Sequence, residues 1–171
     1  VQARQSSAVV PFSIAGKSST LVEVEYQGRR TQGLFLPVTS SAPGIFTLDQ
    51  SGRGQGAILN EDGITVNSPA NPAPRGSIVS IFATGAGETD PVSLDGVLAW
   101  GILPAPKLPV AVRIGGAAAE ILYAGAAPGL VSGVLQVNAR VPWNIEPGDF
   151  VPVILTIGRN SSLLAVTMAV R

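Results

Sequence analysis

The chain has 171 residues, 46% of them apolar and 13% charged, with 11 basic and 11 acidic side chains and neither cysteine nor histidine. That charged fraction is about half the usual one, and a chain this apolar can bury a core rather than stay disordered. No basic stripe runs through the sequence, so nothing in it suggests a nucleic-acid surface, and the missing thiols and imidazoles exclude disulfides, thiolate chemistry, the Ser-His-Asp triad and the usual zinc ligand sets.

No apolar run reaches the ~18 residues that a membrane span needs. The 14 prolines and 20 glycines are spread along the chain, which suits many short strands joined by turns. Residues 5–10 read as a strand and residues 21–27 as a clearer one. Val22, Val24 and Tyr26 fall on one face and Glu23 and Glu25 on the other, the period of a half-buried strand. Gln27-Gly28-Arg29-Arg30 reads as a turn, and residues 33–39 return. Ser41-Ala42-Pro43-Gly44 is another turn, because proline presets φ and glycine tolerates a positive one. Ile45 and Phe46 are expected to plug a core. DQSGRGQG, residues 49–56, reads as a flexible loop. Residues 57–60 and 64–67 read as a hairpin around Glu61-Asp62-Gly63, and SPANPAPRG, residues 68–76, as an extended linker. Residues 77–84 form a strand and residues 85–103 an irregular insertion carrying Trp100. A strand over 108–114 puts Val110, Val112 and Ile114 on one face, and a short strand covers 119–123.

Residues 134–158, VLQVNARVPWNIEPGDFVPVILTIG, organise the rest. Leu135, Val137, Ala139 and Val141 alternate with polar residues until Pro142, which cannot donate to a ladder, ends the strand. After a loop tipped by Pro147 and Gly148, a second strand aligns Val153, Leu155 and Ile157. Gly158-Arg159-Asn160-Ser161 then turns into a last strand over 163–170. The same pattern is written once before, as QSSAVVPFSIAGKSSTLVEVEYQG over residues 5–28. About seven strands in the roughly 95 residues from 76 onward have the count and size of an immunoglobulin-like sandwich. The expected fold is all-β: an immunoglobulin-like β-sandwich over 76–171, preceded by a smaller β-region, 1–75, related to half of a similar module. Half a sandwich exposes an apolar face, and burying four or five aliphatic side chains is worth on the order of 10 kcal/mol. Val10, Val22, Val24, Leu34 and Leu36 are therefore expected to pack against Ile45, Phe46 and the 57–66 hairpin, or against a second chain as a homodimer.

The runs SAPGIF, LNEDG followed by NSPANPAPRGSIVSIFATGAGET, LPVAVRIGG, AEILYAGAAPGLVSGVLQVNARVPW and PVILTIG together resemble the Solibacter-type uncharacterised C-terminal domain of secreted bacterial proteins. The likeness becomes specific at Ser41 and covers nearly the whole chain. It implies export, attachment behind varied N-terminal regions of the same polypeptide, and no established biochemical activity. Within it, residues 76–171 resemble an IPT/TIG module, through Gly76-Ser77-Ile78-Val79, residues 110–116, and Val141-Pro142 onward to Ile157. Modules of that kind mostly serve as spacers or binding scaffolds, and no functional residue carries over.

Each candidate site has a plain structural explanation beside it. Gly85-Ala86-Gly87 follows a strand as a phosphate loop would, but no third glycine, Gly-Lys-Ser/Thr or helical pattern follows, so a loop with tight backbone turns is expected. Glu88, Asp90 and Asp95 lie within eight residues of irregular chain, with Asp49, Asn60 and Asp62 elsewhere. They are candidates for calcium, which takes oxygen ligands from such loops. Their spacing is not that of an EF-hand, and Asp62-Gly63 is already explained as a turn. Glu23 and Glu25 could be read as a glycosidase pair, but they sit on the wet side of a hairpin and read as surface charges. Lys17 beside Ser18 and Ser19 has no pocket-forming pattern around it. Phe12 and Trp143 each follow a proline at a strand end and read as plugs closing the end of a sandwich. Tyr26 and Tyr123 complete the aromatic set. Trp100, in the insertion, is the better ligand candidate among them, but a core-capping role is its favoured reading.

These observations lead to an expected non-catalytic extracellular module, a spacer, adhesion or attachment unit at the C-terminus of a larger secreted or surface protein, with no cofactor. The alternative is a carbohydrate-binding or accessory domain of a carbohydrate-active enzyme, using Trp100 and the 88–95 acidic loop against a carbohydrate or other cell-surface component. A concave pocket holding Trp100 and two carboxylates would favour the alternative.

Overall fold

The structure, a computed structural model, describes residues 8–171. Half of the strand expected over 5–10, residues 5–7, lies outside the described residues, and residues 8–10 are not in a strand. A short 3-10 turn, Phe12–Ile14, leads into a projecting hairpin. Its strands are β1 (Ser19–Val22), β2 (Glu25–Tyr26), β3 (Arg29–Arg30) and β4 (Leu34–Pro37). β1 pairs antiparallel with β4 and β2 with β3. Gln27 and Gly28 both take positive φ at the tip, the geometry of the two-residue turn whose twist matches the flanking strands.

The rest of the chain builds one curled sheet. Its strands are β5 (Gly44–Ile45), β6 (Gly54–Gln55), β7 (Ile58–Leu59), β8 (Ile78–Thr84), β9 (Thr89–Asp90), β10 (Ala105–Pro106), β11 (Val110–Ile114), β12 (Ala117–Ala126), β13 (Leu135–Arg140), β14 (Gly148–Ile157), β15 (Asn160–Ser161) and β16 (Val166–Val170). The sheet runs β5-β8-β13-β12-β11-β14-β16-β6, with β7 also on β8 and β15 on β14, while β9 and β10 pair apart from it. It closes around a core to which β8 gives Val79, Ile81 and Ala83, β13 gives Leu135, Val137 and Ala139, and β14 gives Val151, Val153, Leu155 and Ile157. The arrangement is that of a β-sandwich, and the period-2 apolar positions read from the sequence in β13 and β14 are buried, as are Val112 and Ile114 of β11, while Val110 is half-buried.

Four expectations change. Residues 41–75 are part of this core rather than a region beside it: Ile45, Ile58 and Ala73 are buried in the same cluster as the strands after residue 76. The proline-rich stretch is tied down, because Ala73 donates to Ala169 O and Arg171 donates to Ala73 O. The second half of DQSGRGQG forms β6, an edge strand parallel to β16. The short strand over 119–123 extends to ten residues. It accommodates Gly125 by folding the Tyr123 ring over it, with Tyr123 Oη donating to Ala126 O at 2.7 Å, and it carries a bulge between Ile121 and Tyr123.

The hairpin does not pack where it was expected to. Val10, Val22, Val24, Leu34 and Leu36 are exposed, while Ile45 and Ile58 are already covered by the sheet's own residues. The intrachain packing is therefore overturned, since the surface proposed to receive the hairpin is filled by β8 and its neighbours.

The ends of the sandwich set where the chain comes and goes. Thr39–Ser41 reaches it beside the β8 and β14 C-termini: Ser41 Oγ donates to Ile157 O at 2.7 Å and Ala42 N to Gly85 O at 2.9 Å. Asn160 Nδ2 donates to Ser41 O, Ser41 Oγ and Thr39 Oγ1. Val170 is paired with Gly148, at the other end of β14. At ~3.3 Å per residue, the ten residues of β14 separate the two.

Candidate functional site

Three places gather exposed apolar or acidic side chains. The first is the 85–103 loop. Its glycines are structural: Gly85 and Gly87 have positive φ, and a Cβ on either would lie within 1.9 Å of Ala42 O or Ser40 O respectively. The bare backbone is needed because residues 40–42 cross it, so the glycines make the expected tight turns and not a phosphate cradle. Thr89 Oγ1 donates to Pro91 O and accepts from Ser93 N, which fixes the loop's start.

The acidic residues of the loop are not brought together. Glu88 reaches Lys107 at 3.7 Å, Asp90 sits in β9 opposite Ala105, and Asp95 accepts from Phe12 N at 2.7 Å. Among the described residues no three acidic side chains surround a point where a metal ion could sit. Asp62 is likewise engaged in its own turn, accepting from the backbone of Ile64 and Thr65 and from the Thr65 hydroxyl. Those bonds, the Thr65 hydroxyl foremost, hold its carboxyl below the ordinary aspartate value. Asp49 is lowered in the same way by Ser51. Burial raises the Tyr123 phenol.

Trp100 is 71% exposed, so it does not cap the core. Its ring edge lies against Gly129, in a loop that also exposes Val92, Leu94, Leu98 and Ile102. The carboxylates needed beside it for the carbohydrate reading are turned to Lys107 and Phe12 instead.

The second place is the opposite end of the sandwich, where residues 144–152 and Gly115 line an open depression of about 570 Å³. Glu146, Asp149 and Phe150 are exposed on it. Trp143 stands nearby, also mostly exposed. Its ring nevertheless occupies the space a Cβ on Gly76 would take, so it covers backbone rather than plugging the core. Phe12, its counterpart, is half-buried. Sequence reading missed this depression, which lies where β14 has a register shift between Gly148 and Val151, and a bulge has no composition of its own.

The third place is the hairpin. Glu25 pairs with Arg30 at 2.7 Å, so Glu25 is a surface ion pair and not half of a catalytic pair. Lys17, Ser18 and Ser19 are exposed at the hairpin's base. One face of the hairpin carries Val22, Val24, Tyr26, Leu34 and Leu36, all open to solvent.

No helix among the described residues is long and apolar enough to cross a membrane. No family model, curated protein or solved structure matches the chain.

Proposed function

We propose that this chain is a non-catalytic extracellular β-sandwich module serving as a spacer or attachment unit in a larger secreted or surface protein. The observation that carries the reading is the path of the backbone. The chain joins the sandwich at Thr39–Ser41, and β16 finishes at the opposite end of β14, so the strands span the distance between the two, which supports a spacer. The resemblance to the Solibacter-type C-terminal domain and the IPT/TIG module supports the extracellular setting. The scattered placement of Glu88, Asp90 and Asp95 supports a role without metal chemistry.

The exposed Trp100 favours one rival, a carbohydrate-stacking surface. Calorimetric titration of soluble polysaccharides and cell-wall fragments into the chain and into its Trp100→Ala variant separates the two. The spacer reading expects no saturable heat from either protein. Saturable binding that disappears in Trp100→Ala would replace it with the carbohydrate reading.

A further inference from the structure

The hairpin is a structural copy of the sandwich's own wall. Tyr26 pairs with Arg29 and Glu25 with Arg30. Ile157 pairs with Asn160 and Thr156 with Ser161. Each residue of the second set lies 131 positions after its counterpart in the first. The next strands agree after one inserted residue: Thr20 faces Leu36, and Val151 faces Met168, which are 131 and 132 positions later. Val22, Leu34 and Leu36 thus stand where Val153, Val166 and Met168 stand. The first three are 44%, 60% and 42% exposed, and the last three are 0%, 2% and 0% exposed.

In the sandwich that inner face is covered by β5, β7, β8 and β13. All four precede β14 in the chain. Those four are already closed over β14 and β16, so they cannot serve the hairpin as well. The opposite face of the hairpin, which carries the exposed Leu21 and Phe35, corresponds to the outer face of β14, where Phe150 is exposed too; the side that is covered in the sandwich is the one carrying Val22, Leu34 and Leu36 in the hairpin.

We infer that the hairpin is the closing wall of a second sandwich, and that its cover is a preceding stretch of the same polypeptide, folded like residues 41–134 and joined ahead of the hairpin. The two sandwiches then share the joint at Thr39–Ser41, held by Asn160. The inference does not rest on the spacer reading, since a carbohydrate-binding module could be repeated in the same way. The register of the hairpin and its bare inner face carry it.

The chain contains no cysteine, so a single introduced thiol reports its own cover. Leu36→Cys and its counterpart Met168→Cys are compared in the 171-residue chain and in a tandem chain with residues 41–134 placed ahead of residue 4. In the shorter chain the Leu36→Cys thiol should react with a maleimide as a free thiol does. In the tandem chain it should slow by about tenfold or more, approaching the Met168→Cys thiol. Hydrogen exchange of the hairpin in the unsubstituted tandem chain reads the same protection without the substitution. Unchanged reactivity and exchange in a tandem chain whose Met168→Cys thiol stays protected would overturn the inference. So would sedimentation showing that the 171-residue chain dimerises with concentration-dependent protection of the Leu36→Cys thiol, which would make a second copy the cover.

Discussion

The Asn67 side chain is fully buried and fully used. Its Nδ2 donates to Ala169 O and Asn60 Oδ1, and its Oδ1 accepts from Ala169 N and Gln55 Nε2. One amide thereby bonds both backbone groups of an interior residue in β16 and stitches the 55–67 segment to it; the Ala169 carbonyl also accepts from Ala73 N, so only the Ala169 N–H depends on Asn67 alone. Leaving a buried backbone group unpaired costs about 1–3 kcal/mol, so Asn67→Ala is expected to lower unfolding stability by roughly 2 kcal/mol in urea titration. Glycines divide by what surrounds them. Gly52 has φ +75 in open space, whereas Gly85 has φ +78 with Ala42 O where a Cβ would be. Left-handed backbone costs a non-glycine residue about 1–2 kcal/mol. Gly52→Ala should lose about that much by thermal denaturation, and Gly85→Ala clearly more, because the Ala42–Pro43 backbone must shift to admit it.

At the scale of elements, the two hairpins test what a cover contributes. Leu155 is fully buried and Leu34 is exposed, although both lie on inner faces of the repeated unit. Leu155→Ala is expected to cost about 3 kcal/mol and Leu34→Ala less than about 0.5 kcal/mol, both read as shifts in denaturant midpoint. Equal losses would mean that the hairpin is covered in solution. The elements that were legible in the sequence are those with period-2 alternation: β8, β11, β13 and β14 lie where Val79, Val112, Val137 and Val153 placed them. β12 was read at half its length because Ala117, Ala118 and Ala119 and the late Gly125 carry no alternating contrast. β6 was missed because Gly54 and Gln55 have no strand propensity. It forms only because β16 offers an open edge beside it.

Taken whole, the molecule has no side chain of ordinary pKa near neutrality, as histidine is absent. The shifts resolved on the acid side are those of Asp49 and Asp62, both downward. A carboxyl whose folded pKa is depressed contributes stability that is fully present above its unfolded value and is lost as pH falls through the folded one. Melting temperature should therefore be flat from mildly acidic to mildly alkaline pH and fall only below the ordinary aspartate range. Asp62→Asn should flatten that acid limb, as followed by circular dichroism. A midpoint near neutrality would contradict this.

Composition and alternation were enough to determine an all-β chain, the strands of its core and the repeat of its hairpin, because side-chain period and turn chemistry are local properties. The positions of Glu88, Asp90, Asp95 and Trp100 were not local. Whether acidic residues of one loop converge depends on Lys107 and Phe12, which arrive from other segments. Which of two like hairpins is buried was likewise settled by tertiary structure alone: both inner faces are mostly apolar, and a face is buried only where a second sheet lies across it.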